Sequence, residues 1–300
     1  MRRFIEENLH HFNAGELSRC AASLENFLQS GGRLMVTLAG AMSTARIGIT
    51  LAPAIRAGLV HAISCTGANL EEDLFRTICS DYPIVDWRNL SASDEVALEN
   101  RVTDTCIPEE EAIRRVEAQL IDAWQTSTEP RPPHEYLFEV LPESEESWLC
   151  AAREMSIPIF APGWADSTLG NIFSARLMNG TLSDSGIIRN DLERMVELAD
   201  WYRLHPRNGL LQVGGGIAGD YPICVVPMLR QDLGEDVPYW SWFAQISESR
   251  PSYGGYSGAP PNEKISWQKL SVDTPRFVIE SDATIVLPLI LQYLLDGREE

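Results

Sequence analysis

Arg33-Leu-Met-Val-Thr-Leu-Ala-Gly40 is a short apolar run closed by a glycine, and Ser43-Thr44 follow where the N-cap of a helix belongs. A continuous apolar run suits a strand buried on both faces of a parallel sheet, and a Ser or Thr just beyond it can accept from the first unpaired N–H groups of a helix. The predicted helix runs to about Ala57. Leu59-Val-His-Ala-Ile-Ser-Cys-Thr66 reads as a second strand and Gly67-Ala-Asn-Leu-Glu-Glu-Asp-Leu74 as the start of a second helix. Strand, helix, strand, helix in that order makes a parallel sheet with crossover helices. Ligands of such a sheet sit beyond the carboxyl ends of its strands, which puts Gly40 to Thr44 and Thr66 to Glu72 on one rim. Helix starts at that rim suit a phosphate, although the Gly-x-Gly-x-x-Gly fingerprint of dinucleotide sites is missing.

The pattern returns further along. Ile157-Pro-Ile-Phe-Ala161 is a strand, Asp166 sits at its carboxyl end, and a helix follows through about Leu177. Residues 187–204 carry apolar side chains at helical spacing (Ile187, Ile188, Leu192, Met195, Val196, Leu198, Ala199). Gly209-Leu-Leu-Gln-Val213 runs into Gly214-Gly215-Gly216, which is either a cradle for a phosphate or nicotinamide or a simple loop. Tyr239 to Ile246 and Arg276 to Glu280 are two more strands, and a last helix starts after Ser281-Asp282. The expected fold is α/β: a single doubly wound, Rossmann-like domain over residues 1–300, with a mostly parallel sheet of about six strands. It carries an amphipathic helical leader (1–30) and an acidic excursion (80–147).

The chain has 300 residues, 44% hydrophobic, and a formal net charge of −19. That charge excludes nucleic acid, whose phosphates need a basic face; it suits a cationic partner such as a polyamine, or serves solubility alone. No stretch reaches the ~20 apolar residues of a membrane span, because the best candidate, Ile285 to Leu295, contains Pro288 and Gln292. Acids stand where a signal peptide would place its apolar region, so the expected location is cytoplasmic. The six cysteines form no Cys-x-x-Cys pair and read as reduced thiols, and His134 has no ligand-spaced companion, so no metal is expected.

Lys264 and Lys269 are the chain's only lysines, and they share one Gly/Pro-rich stretch. Either they are leftovers of an arginine-biased composition, or one does what guanidinium cannot, which is to lose a proton and form an imine. Lys269 is the better candidate. In an extended segment Trp267 would share its face and strip water from the amine, whereas Lys264 is expected to be replaceable.

These motifs together resemble the deoxyhypusine synthase family: Ser43-Thr44, Thr66 to Asp73, Ile157-Pro-Ile-Phe, Asp166, the triple glycine, Glu263-Lys-Ile-Ser-Trp-Gln-Lys269 and Ser281 to Pro288. The similarity runs from about Gly31 to Leu295. It implies a homotetramer with sites at subunit interfaces, NAD as cofactor, and transfer of the 4-aminobutyl group of spermidine through an imine on Lys269. By the same resemblance Glu263 and Trp267 contact the amine. The cofactor falls to Ser43, Thr44, Thr66, Gly67, Ala68, Glu72, Asp166, Gly214, Gly215, Gly216, Gly254, Ser281 and Asp282.

The departures fall on the amine side. Two acids of the family's Asp-Gly-Ser-Asp-Ser-Gly are Tyr253 and Tyr256 here, its lysine and paired histidines after the triple glycine are Gly219-Asp220-Tyr221, and an acid after Gly170 is Asn171. Asp220 can restore a charge, and Tyr253, Tyr256 and Trp267 can hold an ammonium over their rings. Hydride and imine chemistry is therefore expected to be kept while the acceptor changes, with a small polyamine as acceptor, as in homospermidine formation. A protein lysine as acceptor, or a non-catalytic NAD-binding role, are the alternatives.

Overall fold

The computed structural model describes residues 1–251 and 254–299, so Tyr253 lies outside the described residues. In chain order the strands are β1 Arg33–Leu38, β2 Ala62–Cys65, β3 Arg101–Val102, β4 Thr105–Cys106, β5 Ile159–Phe160, β6 Asn208–Val213, β7 Trp242–Ile246 and β8 Arg276–Ile279. Strands β3 and β4 form a separate hairpin, while the other six make one sheet in the order β5-β2-β1-β6-β7-β8, with every pairing parallel. The order of progression reverses between β1 and β6, which is the switch point where a crevice opens in a doubly wound sheet. Those two strands pair along their full lengths, from Arg33↔Asn208 to Leu38↔Val213. Their following loops therefore leave the sheet side by side.

The helices are α1 Arg2–Asn8, α2 Phe12–Gln29, α3 Gly48–Arg56, α4 Gly67–Ile78, α5 Ala92–Ala97, α6 Arg115–Thr126, α7 Pro133–Val140, α8 Trp148–Glu154, α9 Thr168–Met178, α10 Asp191–Arg203, α11 Gly216–Ile223, α12 Val225–Pro227, α13 Pro261–Ser266 and α14 Ala283–Glu299. Alternation along the strands divides their side chains between two buried layers. Leu34, Val36, Leu38, Leu211, Val213, Ala244 and Ile246 face a large core closed by α2, α3, α8 and α14, which also takes in Leu120, Trp124, Tyr136 and Leu137 of the acidic excursion. Met35, Leu210 and Phe243 face a smaller core closed by α10, α11 and α12.

The leader is helical as expected, in two pieces, with Phe12 at φ +52° and 94% exposed where the second begins. Two sequence expectations fail locally. The helix after β1 starts at Gly48, not at Ser43-Thr44. Asn69 holds the preceding loop in another shape, its side-chain amide donating to the carbonyls of Leu38, Ala39 and Gly40 and its carbonyl oxygen accepting from the Ser43 N–H. The helix expected over 187–204 starts at Asp191, and Leu192 and Val196 point outward rather than into the core.

Candidate functional site

Strand β2 ends at Cys65, and Thr66 caps α4 by accepting from the Asn69 N–H at 3.2 Å while its hydroxyl donates to the Gly40 carbonyl at 2.8 Å. Gly67 and Ala68 form the first turn of that helix. The run Glu71-Glu72-Asp73 then places three carboxylates in buried positions with different work. Glu71 accepts from the N–H groups of Thr168 and Leu169 at the start of α9, and Asp73 accepts from the Leu149 N–H at the start of α8. Both carboxylates meet unpaired helix donors, a favourable use of charge. Glu72 is left over. One of its oxygens has no hydrogen-bond partner among the described residues, and neither has the hydroxyl of buried Thr44. Burial first, then the neighbouring Glu71 charge, pushes the Glu72 carboxyl up to about 8.

Across the switch point, Gly214 and Gly216 take φ of +77° and +60°, conformations that favour glycine. A Cβ on Gly214 would stand 2.8 Å from that of Ala39, whereas beside Gly216 the space is open. The result is bare main chain at the mouth of the crevice. Ser43 does not contribute its side chain there: it donates to the Asn69 carbonyl and accepts from the Trp148 indole N–H at 3.0 Å.

The lysine pocket adjoins this crevice. It is a cavity of about 480 Å³ whose lining includes Asp220, Cys224, Tyr256, Glu263, Lys264 and Lys269, with Gly254 and Trp267 at its edge. Lys269 is buried, and its ammonium donates to Asp220 at 2.8 Å. Burial lowers its pKa, but the bond to Asp220, that residue's charge and Cys224 together outweigh burial and the net shift is upward. The expected desolvation by Trp267 is not what the fold provides. The segment is not extended: α13 ends at Ser266, Gln268 has φ +56°, and Trp267 is 62% exposed. Tyr256 takes that place, with its ring centroid 5.3 Å from the Lys269 Nζ.

Lys264 also departs from expectation. It is among the most deeply buried side chains, donating to Gln245 Oε1 at 3.2 Å and to the Ala259 carbonyl at 2.9 Å. Burial, then the like charge of Lys269, pushes it down to about 8.

Two glutamines that sequence reasoning missed join the pocket to the crevice. Gln212 on β6 and Gln245 on β7 are register partners. Gln212 accepts from the Tyr256 hydroxyl at 2.7 Å and donates to the Gly214 carbonyl, while Gln245 donates to the Ser257 carbonyl. Ser257 Oγ in turn accepts from the Gly216 N–H and sits where a Cβ on Gly215 would be. The only sequence signal for either was a polar residue inside an otherwise apolar strand, at a position that must be buried.

Four of the sequence candidates stand apart within the single chain. Asp166 is exposed beyond β5, at one edge of the sheet, and Asn171 lies on α9 with its amide on the Ser167 carbonyl. Ser281 and Asp282 follow β8 at the opposite edge, where Asp282 accepts from the Thr284 N–H and hydroxyl. Glu263 stands exposed at the mouth of the lysine pocket. Among the described residues no group of three His, Cys, Asp or Glu could hold a metal, and no helix is long and apolar enough to cross a membrane.

A sequence profile of the deoxyhypusine synthase family matches residues 6–294. The chain belongs to the deoxyhypusine synthase family. It is 28% identical to a "Deoxyhypusine synthase-like protein" of Cyanothece sp., over 97% of this chain and 78% of that one. It is 30% identical to a "Probable deoxyhypusine synthase 1" of Archaeoglobus fulgidus, over 95% of this chain and 90% of that one. Among solved structures it is similar to "a putative deoxyhypusine synthase from Entamoeba histolytica", with a TM-score of 0.62 at 14% identity, covering 97% of this chain and 91% of that one. The family is one of enzymes, NAD-dependent aminobutyltransferases that draw the aminobutyl group from spermidine.

Proposed function

We propose that this chain moves a 4-aminobutyl group from spermidine, or a related polyamine, through an imine on Lys269 to a small amine acceptor, as in homospermidine formation. The observation that carries the reading is the pair Lys269–Asp220 in a 480 Å³ cavity. A lysine held as an ammonium cannot attack, so the carboxylate must be drawn away first. A substrate ammonium is the group that does this, because it offers Asp220 an equivalent partner. Asp220, with 44% of its side chain accessible, faces the cavity, and Glu263 and Asp232 at the mouth favour a cation entering. Tyr256 supplies a ring face for the same charge.

NAD fits the crevice at the switch point. The unpartnered Thr44 hydroxyl and Glu72 oxygen are polar groups of the kind ribose hydroxyls satisfy, and the bare main chain at Gly214 to Gly216 admits close approach. When bound, the dinucleotide supplies the hydride acceptor for the amine. The rest is done by the chain: Gln212 and Gln245 fix Tyr256 and the 256–258 turn between crevice and pocket, and burial keeps water from the Lys269 imine. We place the protein in the cytoplasm as one NAD-binding unit over residues 1–300, with its leader and excursion packed on it, assembled as a homotetramer. Exposed Phe12, Met178, Leu192 and Val196 support the assembly, since apolar side chains at a monomer surface are what an interface covers.

Incubation with spermidine, NAD and putrescine, with products read by mass, tests this reading. Homospermidine is expected; its absence, with modification of a protein lysine instead, would replace the small acceptor with a protein. Light scattering is expected to give a mass well above the 33.5 kDa of one chain.

A further inference from the structure

The two lysines of the chain meet at one aromatic ring. Lys264 Nζ lies 4.9 Å and Lys269 Nζ 5.3 Å from the centroid of Tyr256, inside one cavity, in a sequence that uses arginine for every other fixed side-chain cation. Only Lys269 has a carboxylate partner among the described residues. Lys264 meets instead two neutral acceptors, Gln245 Oε1 and the Ala259 carbonyl, and its remaining side faces the Tyr256 and Phe243 rings. Two acceptors match the two N–H donors of a neutral amine and leave its lone pair unused.

The groups that face this pair come from each element around it. Asp220 and Cys224 project from α11 and its end, Tyr256 from the 256–258 turn, and Glu263 from α13 itself, with Asp232 at the mouth. Strand β7 contributes the neutral Gln245 and Phe243. Asp220 is committed to Lys269, while the thiol of Cys224 is pushed up by burial and stays protonated. Among the described residues Lys264 is left as the one group in the cavity shown to be able both to lack and to accept a proton near neutrality, in keeping with its low pKa of about 8.

We propose that Lys264 holds the proton that Lys269 must lose. As Asp220 turns to the substrate ammonium, a proton leaves the Lys269 ammonium and the Lys264 amine takes one up. The electrophile is the C=N carbon of the substrate iminium that loss of hydride to a nicotinamide dinucleotide would leave; the Lys269 lone pair forms the N–C bond to it as the C=N π pair moves onto the substrate nitrogen. That nitrogen takes one proton from the Lys269 nitrogen and the one held by Lys264, and as its C–N bond breaks it departs as an ammonium and leaves a protonated imine on Lys269, so charge and protons balance. Lys264 acts through Lys269 and is a positioning residue for its proton. The inference rests on Lys269 being the imine carrier.

The two amines titrate as a pair, so the first proton lost belongs to both. Reductive alkylation with butyraldehyde and cyanoborohydride, from about pH 6 to about pH 10, reads the free amine of Lys269 as mass added to its peptide. With tetramethylammonium in excess to occupy Asp220, labelling of Lys269 in the parent is expected to rise in a step as the pair loses its first proton, at about the pH 8 of Lys264. In Lys264→Met and in Lys264→Gln, which keeps polar contacts without a titrating amine, that step is expected to vanish and the rise to move up by about two pH units. An unchanged profile in both variants, or label on Lys264 rather than Lys269 in the parent, would overturn the proposal. Borohydride trapping with spermidine and NAD tests the carrier separately: the step at Lys269 without an aminobutyl adduct would sink the proposed function and leave the proton coupling standing.

Discussion

The lysine pocket and the glycine crevice share a wall, and they treat their polar groups in opposite ways. In the pocket each named group is matched: Lys269 with Asp220, Lys264 with Gln245 and Ala259, Tyr256 with Gln212. On the β1 side of the switch point the Thr44 hydroxyl and a Glu72 oxygen are buried without partners among the described residues, at a cost of about 1–3 kcal/mol per buried unsatisfied group. A pocket with its bonds made is organised before any ligand arrives, and binding there must exchange one partner for another. A crevice with bonds unmade gains them outright. On the proposed function, exchange chemistry belongs to the first and cofactor binding to the second.

The largest effect belongs to the pocket. Lys269→Arg keeps the charge facing Asp220 but lacks a lone pair for attack, so transfer is expected to fall by about three orders of magnitude or more, with the melting temperature nearly kept. Transfer at the parental rate would end the imine reading of the pocket. Saturating NAD without polyamine comes next: binding to the native state alone is worth ~2.7 kcal/mol at a hundredfold excess over Kd, a rise of several degrees in a melting curve. A curve that does not move would remove the contrast, since the unpaired crevice groups would then have no ligand. Gly214→Ala forces a side chain into φ +77° with Ala39 2.8 Å away. It is expected to cost about 1–3 kcal/mol of stability and to weaken that NAD shift. An Ala variant with parental stability and shift would separate the glycine turn from the cofactor.

The sheet was legible from residues such as Arg33 to Gly40 and Gly209 to Val213, because strands buried on both faces announce themselves as unbroken apolar runs. What was not legible depended on partners distant in sequence. Ser43 reads as a helix cap until Asn69 takes its N–H, and Leu192 reads as core because helical spacing does not say which neighbour covers it. The lysines were found by composition, but the surroundings that set the charge of each were not. The burial that lowers the pKa of Lys264 comes from β7 and the 256–259 segment, and the ion pair that raises that of Lys269 comes from α11. Spacing within Glu263 to Lys269 carries no trace of either.

The last expected effect is a slope. Glu72 has a carboxyl raised to about 8 in the fold and an ordinary value near 4.5 when unfolded. Between those values the native state keeps a proton that the unfolded chain has lost, so this group's contribution to stability is whole below about pH 4.5 and declines as pH rises through about 8. Glu72→Gln cannot titrate, and its melting temperature is expected to fall less than the parent's over that window. NAD sharpens the contrast. If a ribose hydroxyl donates to the unpartnered Glu72 oxygen, the bound carboxylate ionises more readily, and the parent with NAD should lose most of the slope that Glu72→Gln lacks already. Equal slopes in parent and variant would mean that Glu72 is charged and satisfied in the free protein, and the crevice would then be as fully paired as the pocket beside it.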